Sequence, residues 1–204
     1  MKIHSLLAGA IVLFSLTAGG QQSSPKIVAE GGTPDDRASA RVLYWNGQTN
    51  AAAGQVAIDY GRPVWRKEYN ETAKFDAMTK GKVWRMGSNY WTILDTNLPL
   101  SMGGKKVPIG FYYLGLHRSE DGSEWSLAFI DPAKARRMHL DAFQVDRAPV
   151  EFEAIMSNVT KAQTPAEKLT ITLSYPKDNI RHVALRVAWG DLVLSTPIDV
   201  VLPE

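Results

Sequence analysis

From Arg41 onward, apolar and polar positions mostly alternate, which is the period of a half-buried β-strand. Val56, Ile58 and Tyr60 interleave with Gln55, Ala57 and Asp59, and Gly61 and Pro63 end that strand. Tyr90, Thr92 and Leu94 interleave with Trp91, Ile93 and Asp95, a strand with bulky groups on both faces. Residues 111–117 and 125–130 flank Ser119-Glu120-Asp121-Gly122-Ser123 and predict a hairpin; residues 98–102 and 105–108 do so around Gly103-Gly104. The C-terminal pattern is the most regular. Leu169, Ile171, Leu173 and Tyr175 alternate with polar residues, and Val183, Leu185, Val187 and Trp189 follow after Lys177-Asp178-Asn179. Gly190-Asp191 then turns the chain into residues 192–202, giving three consecutive antiparallel strands.

Two stretches depart from this period. Asp131 is placed to cap a short helix that starts at Pro132 and runs to about Leu140. Residues 68–80 are polar, with Phe75 and Met78 three apart, and predict a helical turn. Many short strands of this kind bury their apolar faces between two layers. The expected fold is therefore mainly β: a single antiparallel β-sandwich, jelly-roll-like, over residues 37–204, with one or two short helices.

The start of the chain follows another rule. Lys2 and His4 precede a mostly apolar run over residues 6–18, and Ala18 and Gly20 supply small residues, the order of a secretory signal. A spanning helix needs about 20 apolar residues, and Gly19, Gly20, Gln21 and Gln22 come too soon for one. Cleavage is expected after Gly20, followed by a flexible lead over 21–36, with no transmembrane segment in the mature chain. Its location would be exported, periplasmic or secreted. Cysteine is absent, which removes disulfides, thiolate metal sites and cysteine nucleophiles. The net charge of +2 provides no whole-molecule field for nucleic acid.

Tyr60-Gly61-Arg62-Pro63, followed by Gly81-Lys82-Val83-Trp84-Arg85-Met86-Gly87-Ser88-Asn89, resembles the bacterial domain of unknown function 2911 family. The resemblance extends from about Ile27 to Leu202. It implies an exported β-sandwich with no established activity, cofactor or catalytic residues. Where members place Glu-Ala-Thr after the asparagine, this chain has Tyr90-Trp91-Thr92, so any acid or ligand role of that glutamate does not carry over. Gly110-Phe111-Tyr112-Tyr113-Leu114 likewise keeps the Gly and Tyr of the family's strand without its small Ser.

Between Arg62 and Arg85 the chain carries seven cations (Arg62, Arg66, Lys67, Lys74, Lys80, Lys82 and Arg85) against Glu68, Glu71 and Asp76. One reading is an anion site: the guanidinium forks of Arg62 and Arg85 grip a carboxylate, phosphate or acidic sugar, with Lys82 adding charge and Asn89 an amide donor. Trp65 and Trp91 could supply an exposed apolar platform for a glycan, whereas Trp189 belongs to the core. The other reading is structural, with Arg62 and Arg85 tied to Asp59, Asp95 or backbone carbonyls and Trp65 and Trp91 packed on the sheet.

No cofactor is expected. His117, His139 and His182 lack a metal-binding spacing, and Glu120, Asp121 and Glu124 lack the regular spacing of a calcium loop. No nucleophile elbow, phosphate loop, dinucleotide fingerprint or zincin helix occurs. The leading expectation is a non-enzymatic exported module that binds a small anionic ligand or glycan, not nucleic acid; the sequence leaves oligomeric state open. Its rivals are a structural or interaction module of the cell envelope, and a hydrolase or lyase in which Asp95, His117 or Glu153 acts.

Overall fold

A computed structural model describes residues 27–158 and 164–203. The expected leader and its cleavage point lie outside the described residues. The chain divides into two compact units, Met1–Thr33 and Pro34–Glu204. In the first, residues 27–33 form neither helix nor strand. The second carries all the regular structure that follows.

Its strands in chain order are β1 (Arg37–Asn46), β2 (Ala51–Gly61), β3 (Lys82–Arg85), β4 (Thr92–Thr96), β5 (Leu100–Met102) and β6 (Lys105–Val107). There follow β7 (Gly110–Arg118), β8 (Trp125–Ile130), β9 (Val150–Asn158), β10 (Ala166–Ser174), β11 (His182–Gly190) and β12 (Leu192–Val200). The helices are α1 (Thr72–Thr79) and α2 (Pro132–Arg137), with 3-10 segments at Lys67–Asn70 and Ala142–Arg147. The strands form one large antiparallel sheet in the order β1-β2-β4-β7-β8-β9-β12-β11-β10. No ladder joins β1 to β10 among the described residues, so the sheet does not close into a barrel. β3 lies off this path and, among the described residues, pairs only with β7.

The alternation read from the sequence builds the core. Val183, Leu185 and Val187 of β11 are buried, as are Val56, Ile58 and Tyr60 of β2. Residues from both ends of the strand order share one hydrophobic cluster, including Ile58, Leu94, Leu127, Leu185 and Leu194. Tyr60 Oη ties β2 to β10 by accepting from the Ile171 N–H at 3.0 Å and donating to its carbonyl at 3.3 Å.

The opposite face is also covered. Trp91, Tyr113 and Ile130 pack with Ala135 of α2, Leu140 and Val145 in a second cluster. Asp131 caps α2 as expected, accepting from the Ala133 N–H at 2.7 Å. The helix ends at Arg137, short of the expected Leu140, because His139 takes a left-handed φ of 53°. Leu140 N then donates to Ala135 O and His139 N to Arg136 O, a Schellman ending built without glycine. That reversal sends Leu140 back onto the sheet.

Candidate functional site

β3 is a short strand paired along the C-terminal half of β7, with Val83 opposite His117 and Arg85 opposite Gly115. Its other edge carries no ladder among the described residues. Gly115 is needed beneath it: a Cβ there would stand 2.7 Å from Val83 Cγ1. On the unpaired side an open cleft of about 580 Å³ is lined by Met78, Lys82, Val83, Trp84, Arg85, Phe143, Val145 and Asp146. Parity puts Lys82 and Arg85 on opposite faces of β3, and they meet in one cleft because the strand is an edge.

Lys82 is exposed and donates from Nζ to the Ala77 carbonyl at 2.7 Å. Arg85 is half-buried and donates from Nη1 to the Asn89 carbonyl at 3.2 Å. Neither forms an ion pair among the described residues, although Asp146 lines the same cleft. Two cations against one carboxylate give the cleft a positive bias.

The other expected site residues lie elsewhere. Arg62 points at Asp36, 4.0 Å from its carboxylate, while its backbone N–H donates to the Asp36 carbonyl at 2.9 Å. Lys168 hydrogen-bonds the same carboxylate at 2.8 Å and chiefly accounts for its lowered pKa. Arg62 therefore holds the chain before β1 against the end of β2, outside the cleft. Asn89 contributes its backbone carbonyl, in a left-handed turn with φ 62°, and is exposed outside the residues that line this cleft. Trp91 is 2% exposed, stacked on Tyr113 with ring centroids 4.5 Å apart, so it presents no platform. Its burial follows from the second cluster, which covers a face that alternation alone would leave wet. Trp65 is half-buried, edge-on to Trp189 and Tyr69.

The acidic partners proposed for the arginines are taken by other groups. Asp59 binds Arg37, which also donates to the Trp91 carbonyl at 3.0 Å. Asp95 accepts from the Gln55 amide at 3.2 Å. Arg118 is a structural cation the sequence did not single out. It lies over the Phe75 and Trp125 rings and donates to Asp76 at 2.7 Å. Lys80 first and Arg118 second hold the Asp76 carboxyl below its ordinary pKa. Asp121 is lowered to about 2, mainly by the Ser119 hydroxyl.

Of the residues weighed for catalysis, His117 and Glu153 do meet, with Nδ1 2.9 Å from the carboxylate. Ser126 donates to the same carboxylate. Both side chains meet the one carboxylate, and among the described residues no hydrogen bond joins the imidazole to the serine hydroxyl, as a nucleophile's base would make. His182 pairs with Asp199 at 2.9 Å, and no group of three or more metal-ligating side chains converges among the described residues.

A family model described as a protein of unknown function, DUF2911, matches residues 46–198, most of the chain. No curated protein and no solved structure is detectably similar.

Proposed function

We propose a binding rather than a catalytic function for this chain, which belongs to the DUF2911 family of proteins of unknown function. In this reading it is an exported two-layer β-sandwich that holds a small anionic ligand against Lys82 and Arg85. Export rests on the order of residues 1–20. The two-layer arrangement is supported by the cluster that β2, β4 and β8 share with β11 and β12, and by the Tyr60 bridge to Ile171.

The observation that carries the function is Arg85. It lines an open cleft, its backbone is fixed by β7, and among the described residues it forms no ion pair. One N–H goes to the Asn89 carbonyl, which sets the plane of the guanidinium and leaves other donors for a fork on a carboxylate or phosphate. Lys82 adds a point charge beside it. Val83 and Val145 give the cleft apolar walls that strengthen those interactions.

The test is a thermal-shift series on the mature protein with inorganic phosphate, citrate and glucuronate. A ligand at about 100 times its Kd adds about 2.7 kcal/mol of stability. Arg85→Ala should abolish that gain, and Lys82→Ala should reduce it. Absence of a shift with every anion, or a shift that survives Arg85→Ala, contradicts the proposal.

A hydrolytic reading has one observation behind it, the His117–Glu153 pair, which orients the imidazole and leaves Nε2 for proton transfer. His117→Ala separates the two readings: anion binding is unaffected in ours, whereas a hydrolase loses turnover.

A further inference from the structure

A second cleft, of about 510 Å³, opens where the loop after β2 meets the β11–β12 turn. Trp65, Tyr69, Phe75, Asn70, Asn158 and Asp191 line it. We propose that this cleft binds an uncharged pyranose, independently of the anion cleft at Arg85.

Its central ring is held in place by the fold. Trp65 N donates to the Glu167 carbonyl at 2.7 Å, fixing the loop to β10. A Cβ built on Gly190 would stand 2.2–2.5 Å from three atoms of the Trp65 six-membered ring, so the indole rests directly on the glycine backbone. Gly190 also has φ 56°, so glycine is required there on two counts. Trp189 meets Trp65 nearly at right angles, with centroids 4.9 Å apart, and Tyr69 does so at 5.4 Å. The indole Nε1 donates to Asn70 Oδ1 at 2.9 Å. Trp65 is thus half-exposed yet immobilised, and a ligand that stacks against it need not freeze it.

The polar groups around the rings have defined roles. Because Asn70 Oδ1 accepts from the indole, its NH₂ is the group left to donate. The side chain of Asp191, exposed in the turn between β11 and β12, forms no ion pair among the described residues and, as a carboxylate, can only accept. Asn158, at the end of β9, can do both. Aromatic walls with one amide donor, one carboxylate acceptor and one two-way amide match a sugar ring, whose axial C–H groups form an apolar face and whose hydroxyls both donate and accept. Among the described residues no Lys or Arg lines the cleft, and Asp191 repels anions, which sets it apart from the cleft at Arg85. A single carboxylate also makes a poor cation site. The volume lies within the roughly 300–1,000 Å³ of small-molecule sites.

Calorimetry and tryptophan fluorescence with cellobiose and lactose test this on the mature protein, with glucuronate on the Arg85→Ala variant as the charged control. The expected result is saturable binding of at least one neutral disaccharide, with a fluorescence change. Asp191→Ala, at an exposed turn position, should weaken it at least about tenfold at unchanged melting temperature. Trp65→Phe should weaken it while keeping a ring on Gly190, and Arg85→Ala should leave it unchanged. Neither disaccharide binding saturably, binding indifferent to Asp191→Ala, or glucuronate binding in this cleft as tightly as the neutral sugars would overturn the inference. None of these outcomes bears on the anion cleft, whose own variant is Arg85→Ala.

Discussion

The strands β10–β12 and the segment between β2 and β4 come from one chain but follow different rules. In β11, Val183, Leu185, Val187 and Trp189 are all buried, and the register to β12 is continuous from His182 to Trp189. Nearly every apolar side chain there serves the core. Residues 62–91 form only short elements, and Trp65, Tyr69, Phe75, Met78 and Trp84 are packed on the core yet only partly buried. Both clefts described above draw most of their walls from that segment. Where strict alternation lapses, side chains stay partly exposed over the sheet that holds them in place, which is where both proposed sites lie.

The contrast can be broken most strongly from the core side. Leu185→Ala empties a fully buried position and should cost about 2–5 kcal/mol in urea denaturation, while the folded fraction keeps its affinity for both ligand types. Gly190→Ala strikes a place where the two regions touch backbone to ring. It should cost about 1–3 kcal/mol through the left-handed φ, and displace Trp65 enough to alter near-UV circular dichroism. Arg118→Ala removes a cation lying between Phe75 and Trp125 and should cost about 1–2 kcal/mol, with little effect on either cleft.

The smallest effect is expected from acid. Asp76 and Asp36 have folded pKa values below their ordinary ones, so the unfolded chain binds protons first as pH falls. Their contribution is complete above the ordinary carboxylate pKa of about 4 and is lost as pH drops through the lowered folded values. Melting temperature should therefore fall below about pH 4, and Asp76→Asn should flatten part of that fall.

The hairpins were legible because their cause is local. Gly103-Gly104, the Ser119–Ser123 turn and Gly190-Asp191 punctuate a period of two, and β5–β6, β7–β8 and β11–β12 form at those turns. The Asp131 cap was legible for the same reason. The end of α2 was not, since His139 occupies a conformation usually signalled by glycine. Trp91 was misplaced because alternation assumes one wet face, and here α2 and the 142–147 segment cover it. The arginines were hardest. Asp59 is claimed by Arg37, two positions removed across the β1–β2 ladder, leaving Arg62 to Asp36 and Arg85 to a carbonyl. Asp191 was legible as a turn residue, but neither it nor Asn158 signalled a cleft, because they join the Trp65 lining only through the sheet.

The central claim is that Arg85 is available to a ligand and dispensable to the fold. Melting the parent protein and Arg85→Ala side by side, with and without a saturating anion, tests it directly. The account predicts unliganded melting temperatures within about 1–2 °C of each other. It also predicts an anion-induced rise of about 5–10 °C in the parent that vanishes in the variant. A variant that melts far below the parent while no anion stabilises either would make Arg85 a structural clamp and contradict the account.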